Sequence, residues 1–257
     1  MEQVSVLTLN VWNREGPYPA RLELLRRWIH ELQPDVIGLQ EVVEGQTEEL
    51  LEGTGMQHTW VGTELSGIAI AARWQLDDPV ERQLPGAEGQ QAGGIALGAH
   101  VQTPAGSLPF VCATSFYPMP FDGWKREQQM PALVDLVRDV GRQQKLPAVL
   151  VGDFNAEPES NEIRFLKGLH SIGSRGAYFC DAWQRAGTGS DGATWTERNA
   201  YSGPWGLPNR RIDYIFVAAP GVVGPGAVRS CRVVCDEEVN GVWPSDHFGV
   251  SAILSTA

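Results

Sequence analysis

The sequence lacks long apolar runs, dense basic segments and closely paired cysteines, and each absence excludes a class of protein. No apolar stretch in the 257 residues is long enough to cross a bilayer, which argues against an integral membrane protein. The first residues enter an alternating apolar segment without the basic region or cleavage site of a signal peptide. We therefore expect no membrane span and, by default, a cytoplasmic location.

Positive charge is scarce in this chain. It has 20 lysines and arginines against 31 aspartates and glutamates, a formal net charge of −11 at pH 7. Neighbouring cations occur only as short pairs, at Arg26-Arg27, Lys125-Arg126 and Arg210-Arg211. Proteins that hold a nucleic-acid backbone usually present a basic face. The composition therefore counts against a non-specific nucleic-acid binder, although a metal ion and a local patch still allow phosphate binding.

The four cysteines do not form the pattern of a zinc site, because there is no CxxC pair and no clustered histidine. Cys231 and Cys235 have three residues between them, so a regular strand would point both to one face. Free thiols in a reducing compartment are the favoured interpretation.

Apolar periodicity predicts a chain of short strands and a few helices. Strands are expected at residues 4–10, 36–40, 59–61, 67–73, 95–101, 108–116, 147–151, 212–217, 228–234 and 249–254, and helices at 21–32, 124–144 and 161–169. Residues 187–209 are expected to form a long irregular loop, which is uncommon unless the loop serves function. With no repeat and no linker, residues 1–257 are predicted to be one α+β domain of two packed sheets with helices outside.

Polar side chains stand at the ends of these apolar strands, where they can converge on a common rim. They are, in chain order, Asn10, Glu41, Asp153, Asn155, Asp213, Asp246 and His247. Singly, most have a plain structural explanation as a strand end, a turn or a helix cap. Asp213 is harder to explain in that way, because a carboxylate inside an apolar strand needs a partner.

Three of these residues suit a hard cation. Magnesium prefers carboxylate and amide oxygens and keeps several waters, so Glu41, Asp246 and Asn10 are predicted to form an open Mg²⁺ or Mn²⁺ site.

The others suit phosphoryl transfer to water. Asp153 is placed to activate a water molecule, while Asn155, Asn10 and a protonated His247 can donate to phosphate oxygens. Asp213 can orient His247 and favour its charged form.

The motifs Thr8-x-Asn10, Gln40-Glu41, Gly152-Asp153-Phe154-Asn155, Arg211-Ile212-Asp213-Tyr214 and Ser245-Asp246-His247 follow one another along the chain. In this order they resemble the endonuclease/exonuclease/phosphatase superfamily, the fold family of pancreatic-type deoxyribonuclease. The resemblance covers about residues 4–253. It implies a four-layer α/β sandwich, with two mixed β-sheets packed face to face and helices outside. It also implies the roles just given, with Glu41 binding the metal.

The chain departs from that family at one position. Many members carry a histidine after the strand that here ends near Ser115, and abasic-site enzymes carry a tyrosine there. Ser115, or Phe116 in the alternative register, is a poor acid. Tyr117, or the charge of Lys125 or Arg126, could take its place. Loss of such a donor would cost about 3 kcal/mol, roughly a hundredfold in rate.

These observations predict a divalent-metal-dependent phosphoesterase, acting on a phosphodiester or phosphomonoester. An acidic surface with aromatic loops favours a small organic phosphate, and roughly two of five loop tryptophans are expected to contact it, among Trp12, Trp124, Trp195, Trp205 and Trp243. One alternative is a magnesium-dependent nuclease acting on DNA or RNA. Another is a non-catalytic binding protein that retains the fold, for which Ser115 is the best argument. A monomer is expected.

Overall fold

Strands dominate the part of the chain that the computed structural model describes, residues 3–87, 92–188 and 190–257. They are β1 (Gln3–Asn10), β2 (Val36–Gln40), β3 (Gln57–Gly62), β4 (Gly67–Ala72), β5 (Leu76–Leu84), β6 (Gly94–Thr103), β7 (Gly106–Ser115), β8 (Val149–Asp153), β9 (Phe179–Asp181), β10 (Asp213–Ala218), β11 (Val228–Val234) and β12 (Gly249–Ser255). The helices are α1 (Tyr18–Leu32), α2 (Gln46–Leu50), α3 (Gly123–Val140), α4 (Asn161–Leu166) and α5 (Ala182–Ala186), and 3₁₀ turns occupy Pro120–Asp122 and Gly203–Trp205.

The strands form two mixed sheets of six strands each. Their orders are β11-β12-β1-β2-β4-β3 and β5-β6-β7-β8-β10-β9. Each sheet holds one parallel pair, β1–β2 and β7–β8. A parallel pair needs a crossover connection, which α1 and α3 supply. Because both members of a parallel pair end at the same edge, each sheet brings two strand ends to one rim.

Three apolar clusters hold the layers together. One lies between the sheets and includes Phe110, Val151 and Ile215. A second packs α3 and α4 on the outer face of the second sheet and includes Leu133, and a third packs α1 on the first sheet through Leu25. The order helix, sheet, sheet, helix confirms the predicted sandwich. None of the described helices is both long and apolar enough to span a membrane.

The predicted elements differ from the observed ones mainly at their ends. α1 begins at Tyr18 rather than at 21, and α3 ends at Val140 rather than at 144. β8 runs to Asp153 rather than stopping at 151, so this carboxylate belongs to the strand itself. α2, α5 and β9 were not predicted, because three to five residues carry too little periodicity. β5 was missed because it is a largely exposed edge strand that contains Pro79.

The expectation that Cys231 and Cys235 share a face was wrong. Cys231 packs between the sheets, whereas Cys235 packs on the outer cluster beneath α1. The reason is that β11 ends at Val234, and Cys235 turns the chain with a φ of 57°. All four cysteines are free thiols.

Residues 187–209 are largely irregular, as predicted, with residue 189 lying outside the described residues. Trp195 and Arg210 exchange two backbone hydrogen bonds, of 3.0 and 2.8 Å. This pairing ties the long loop to the start of β10.

Candidate active site

All seven polar residues singled out in the sequence come together at one rim of the sandwich. Five of them line a cleft of about 200 Å³, whose lining consists of Trp12, Glu41, Pro118, Met119, Asp153, Asn155, Trp195, Trp205, Leu207, Arg210, Ile212, Asp246 and His247. The other two, Asn10 and Asp213, are buried and hydrogen-bond to lining residues. The predicted convergence of strand ends is thus present in the structure.

Asn10 joins the two sheets at this rim. It ends β1, and its Nδ2 donates to Glu41 Oε1 at 3.0 Å and to Asp153 Oδ2 at 3.1 Å. Its Oδ1 accepts a hydrogen bond from the backbone N–H of Trp12 at 3.0 Å. A fully buried amide with these partners fixes one carboxylate from each sheet relative to the other.

Several non-glycine residues of the rim adopt the left-handed backbone conformation. The φ angles are 54° at Trp12, 42° at Asn13, 53° at Glu41 and 52° at Asn155. This region is sparsely populated by residues with a Cβ, and such residues cluster at functional sites. At Glu41 the turn directs the carboxylate to Asn10 and to Asn13 Nδ2, which lies 3.4 Å from Oε2.

A chain of hydrogen bonds orients His247. Asp213 Oδ2 lies 3.0 Å from His247 Nδ1, and Thr194 Oγ1 donates to the same oxygen at 2.5 Å. His247 Nε2 then lies 3.9 Å from Asp153 Oδ2, and the Trp195 ring packs edge-on at 4.9 Å between centroids. Sequence reasoning missed Thr194, because it lies in the irregular loop and only pairing with residues distant in sequence brings it to Asp213.

Burial and crowding shift the proton affinities of the acids. Burial raises the pKa of Asp153 to about 7, with His247 opposing the rise and the Asp213 carboxylate adding to it. Burial likewise raises the pKa of Asp246 to about 6, and the nearby Glu41 carboxylate contributes.

Burial and the neighbouring carboxylates have opposite effects on the pKa of His247. Burial alone lowers the pKa of its imidazole, but the carboxylates of Asp213, Asp153 and Asp246 outweigh burial and raise that pKa well above its ordinary value. The imidazolium is therefore the form that this cluster of acids stabilises at neutral pH.

The donor set fits a hard divalent cation. Glu41 and Asp246 both line the cleft, and the Glu41 charge raises the pKa of Asp246, so the two carboxylates repel each other. A cation with oxygen ligands relieves such repulsion. Asp153, Asp213 and His247 also bring possible ligand atoms within 4.8 Å of one another. In that group, however, the imidazole nitrogen suits softer metals, and Nδ1 is already held by Asp213.

Ser115 ends β7 at the rim, at the position where the family resemblance implies a histidine. Its backbone oxygen accepts a hydrogen bond from Asn155 Nδ2 at 2.9 Å, while its buried hydroxyl has no partner among the described residues. None of the three residues considered as replacements lines the cleft. Lys125 pairs with Asp122 at 2.7 Å, and Arg126 is buried.

Two buried arginines, which sequence reasoning did not assign to the site, brace the loops around it. Arg210 donates to Asn155 O at 3.1 Å, to Pro118 O at 3.3 Å and to the Glu157 carboxylate at 2.9 Å. The backbone turn that carries Asn155 is therefore held from behind by a side chain whose charge is already compensated.

Arg21 does the same on the first sheet. Although it lies in α1, its guanidinium donates to Val11 O, to Glu15 O at 2.7 Å and to Pro244 O at 3.1 Å. It thereby ties the loop after β1 to the loop that carries Asp246.

The chain is similar to known proteins in sequence and in fold. The sequence profile of the Endonuclease/Exonuclease/phosphatase family matches residues 7–247. No curated protein matches the chain by sequence.

Solved structures with a similar fold include TDP2 from C. elegans, with a TM-score of 0.78 and 15% identity over 98% of this chain and 75% of that one. An endonuclease/exonuclease/phosphatase from Bacteroides vulgatus gives a TM-score of 0.75 at 20% identity, over 99% of both chains. The human Nocturnin catalytic domain, solved with a bound sulfate anion, gives 0.73 at 18% identity, over 98% of this chain and 94% of that one. At these identities the structural likeness shows the fold alone.

Proposed function

The chain belongs to the endonuclease/exonuclease/phosphatase family, whose enzymes hydrolyse phosphoester bonds with divalent metals, and from this premise we propose that it is a metal-dependent hydrolase of a small organic phosphodiester or phosphomonoester. The observation that carries the proposal is the convergence of four carboxylates and one histidine on a single cleft: Glu41, Asp153, Asp213, Asp246 and His247. Packing alone gives no reason to gather so much negative charge at a buried rim.

Glu41 and Asp246, with Asn10 beside them, would hold Mg²⁺ or Mn²⁺. The bound ion would polarise a phosphoryl oxygen and offset the charge that develops on the phosphate. Asn10 also fixes the Glu41 carboxylate at 3.0 Å, so the ligand is oriented before any ion arrives.

Asp153 orients the attacking water and accepts its proton. Its Oδ2 is fixed by Asn10 Nδ2 at 3.1 Å, and its Oδ1 accepts the Asn155 backbone N–H at 2.9 Å. A carboxylate held at both oxygens has few orientations left, which favours a single approach of the water.

His247 donates a hydrogen bond to a phosphate oxygen from Nε2. Asp213 holds the opposite ring nitrogen, so Nε2 is the end that faces Asp153 and the cleft. Fixed charged donors at such a position stabilise the transition state more than the bound substrate.

Asn155 is the second donor to phosphate in this proposal. Its Nδ2 donates to Ser115 O at 2.9 Å and lies 3.4 Å from Asp153 Oδ2. Contact with a phosphate oxygen therefore requires exchange of the longer bond when substrate binds.

The cleft favours a small substrate with a single phosphate. Arg210 is the one arginine or lysine among its lining residues, and each of its three side-chain nitrogens already donates to a protein acceptor. Three tryptophans also line the cleft: Trp12, Trp195 and Trp205. A volume of about 200 Å³ lies below that of drug-sized sites. The nuclease alternative requires free cations along a strand-binding path, and this lining does not supply them.

The test is hydrolysis of chromogenic phosphodiesters and phosphomonoesters with Mg²⁺, Mn²⁺ or chelator. Turnover is expected only with metal, and both Glu41→Ala and His247→Ala should abolish it. Glu44→Ala is the matched control, since Glu44 is exposed on the same connection after β2. No turnover and no Mn²⁺ binding by the folded protein would instead support the non-catalytic alternative.

A further inference from the structure

At the opposite edge of the second sheet, where β8 begins and β10 ends, lie grooves and charged side chains that the hydrolytic site does not use. Two adjoining grooves lie there, of about 720 and 350 Å³, and both are lined by Tyr178, Phe179 and Pro220. The larger one is formed by α3 and by the residues that precede β8 and follow β10.

This edge is remote from the cleft. Ala148 lines the larger groove, and Asp153 lines the cleft at the other end of β8. Five residues of extended strand separate the two sites by roughly 17 Å. A ligand on one edge therefore leaves the other edge open.

Positive charge is concentrated around the two grooves. The cations that line them are Arg138, Lys145, Lys167 and Arg185. Across residues 3–87, 92–188 and 190–257, no carboxylate lies within ion-pair distance of Lys145, Lys167 or Arg185. The acidic lining residue, Asp181, is buried and pairs with Arg211 at 2.8 Å. Arg138 has a carboxylate partner, Asp135, at 4.0 Å, so the three other cations supply the uncompensated positive charge in a chain whose net charge is −11.

Large apolar side chains protrude from the same edge. Leu169 is 61% exposed, Tyr178 64%, Val222 73% and Val223 74%. Val222 and Val223 stand in the connection from β10 to β11, in the sequence Pro220-Gly221-Val222-Val223-Gly224-Pro225, and Leu169 and Val222 line the smaller groove. Exposed apolar side chains grouped among cations are characteristic of an interaction surface.

We propose that this edge, the basic face formed by Lys145, Lys167, Leu169, Tyr178, Arg185, Val222 and Val223, docks on the surface of an anionic lipid bilayer. The apolar side chains of this face are themselves exposed, by 61–74%, whereas a peptide-binding groove holds its apolar contacts recessed. Peripheral attachment takes two signals, a shallow apolar insertion and basic residues opposite anionic headgroups, and both are present.

Docking in this way turns the cleft away from the lipid. The proposed hydrolase would then act on a water-soluble substrate while attached to a membrane. The proposal does not depend on the hydrolytic activity, because no residue of the basic face lines the cleft.

Vesicle flotation tests the docking with the full chain. Phosphatidylcholine vesicles with phosphatidylserine should bind the protein, and vesicles of phosphatidylcholine alone should not. The charge reversal Lys145→Glu with Lys167→Glu should lower partitioning at least about tenfold. Val222→Asp with Val223→Asp should lower it comparably, and higher salt should weaken binding of the wild type.

Leu65→Asp is the matched control, because Leu65 is 83% exposed and lies on the turn between β3 and β4 of the other sheet. This variant should bind vesicles as the wild type does, and thermal melting checks that all variants fold. Equal binding to vesicles with and without phosphatidylserine, or unchanged binding by both double variants, overturns the proposal. Absence of vesicle binding, including the case in which an acidic peptide such as polyglutamate binds instead, overturns it as well.

Discussion

Replacing Asp213 with asparagine removes the charge that orients His247 while keeping the side-chain shape. The two groups are 3.0 Å apart, and at that distance an ion pair is worth roughly 5 kcal/mol at an effective dielectric constant of about 20. Desolvation of a buried imidazolium costs several kcal/mol. The attraction of the Asp213 carboxylate is therefore large enough to decide whether the imidazole is charged. Without it, we expect burial to lower the pKa of His247.

The expected consequence is a loss of the charged donor at Nε2. Removing one preorganised donor to a developing oxyanion typically costs about 10²–10³ in kcat, and we expect Asp213→Asn to fall in this range. The sign of the pH dependence follows. In the wild type the raised pKa of His247 keeps the donor charged through neutral pH. In the variant the residual rate should fall as pH rises, so its optimum moves to lower pH.

Steady-state rates against pH, with NMR titration of the His247 ring as a readout independent of turnover, measure both effects. Thr194→Val is the matched control, because it removes the other hydrogen bond to Asp213 Oδ2 and leaves the charge in place. It should cost about tenfold in kcat and leave the pH optimum unchanged. An Asp213→Asn enzyme with a wild-type pH profile and a rate within threefold of the wild type, roughly 0.6 kcal/mol, would refute the reasoning.

Metal binding, titration of the buried acids and the close approach of β7 and β8 can each be tested by a change in stability. Mn²⁺ at about 100 times its dissociation constant should stabilise the wild type by about 3 kcal/mol, and thermal melts of Glu41→Gln should lose this gain, whereas an unchanged gain would place the ion elsewhere. In metal-free protein the pKa of Asp153 is raised to about 7 and that of Asp246 to about 6, so the folded state holds more protons than the unfolded state above pH 4. The free energy of unfolding, measured by urea denaturation, should therefore decline from pH 4 to 7, and less steeply in Asp153→Asn. Gly152→Ala places a Cβ 1.8 Å from the Ala113 backbone oxygen at a φ of 150° and should cost at least about 3 kcal/mol in the same assay; full stability would contradict the close strand approach.

The convergence of the seven site residues could be predicted because each is tied to a strand end. The approximate positions of the strand ends follow from apolar periodicity, and parallel pairing of β1 with β2 and of β7 with β8 sends four ends to one rim. The carboxylate inside an apolar segment at Asp213 was informative for the same reason: burial demanded a partner, and the structure supplies His247 and Thr194.

The supporting residues could not be predicted, because their partners are backbone atoms of distant loops. Arg21 lies on a helix whose spacing gives only an amphipathic pattern, and its acceptors belong to residues as far along the chain as Pro244. Arg210 was visible only as half of a basic pair, although it holds the Asn155 turn. A backbone carbonyl has no sequence signature, so contacts of this kind appear only once the loops are placed.

The site is divided between the two sheets, and one amide spans the division. Glu41 directly follows β2 of the first sheet and Asp153 ends β8 of the second, and Asn10 Nδ2 donates to both carboxylates. The separation of the sheets therefore sets the separation between the proposed metal ligand and the proposed base. That spacing is fixed by close packing below the rim: a Cβ on Gly38 of β2 would lie 2.4 Å from Val151 Cγ2 of β8. The interior of the sandwich thus determines the geometry of the cleft, because a change of a methyl group in this layer would move one half of the site relative to the other.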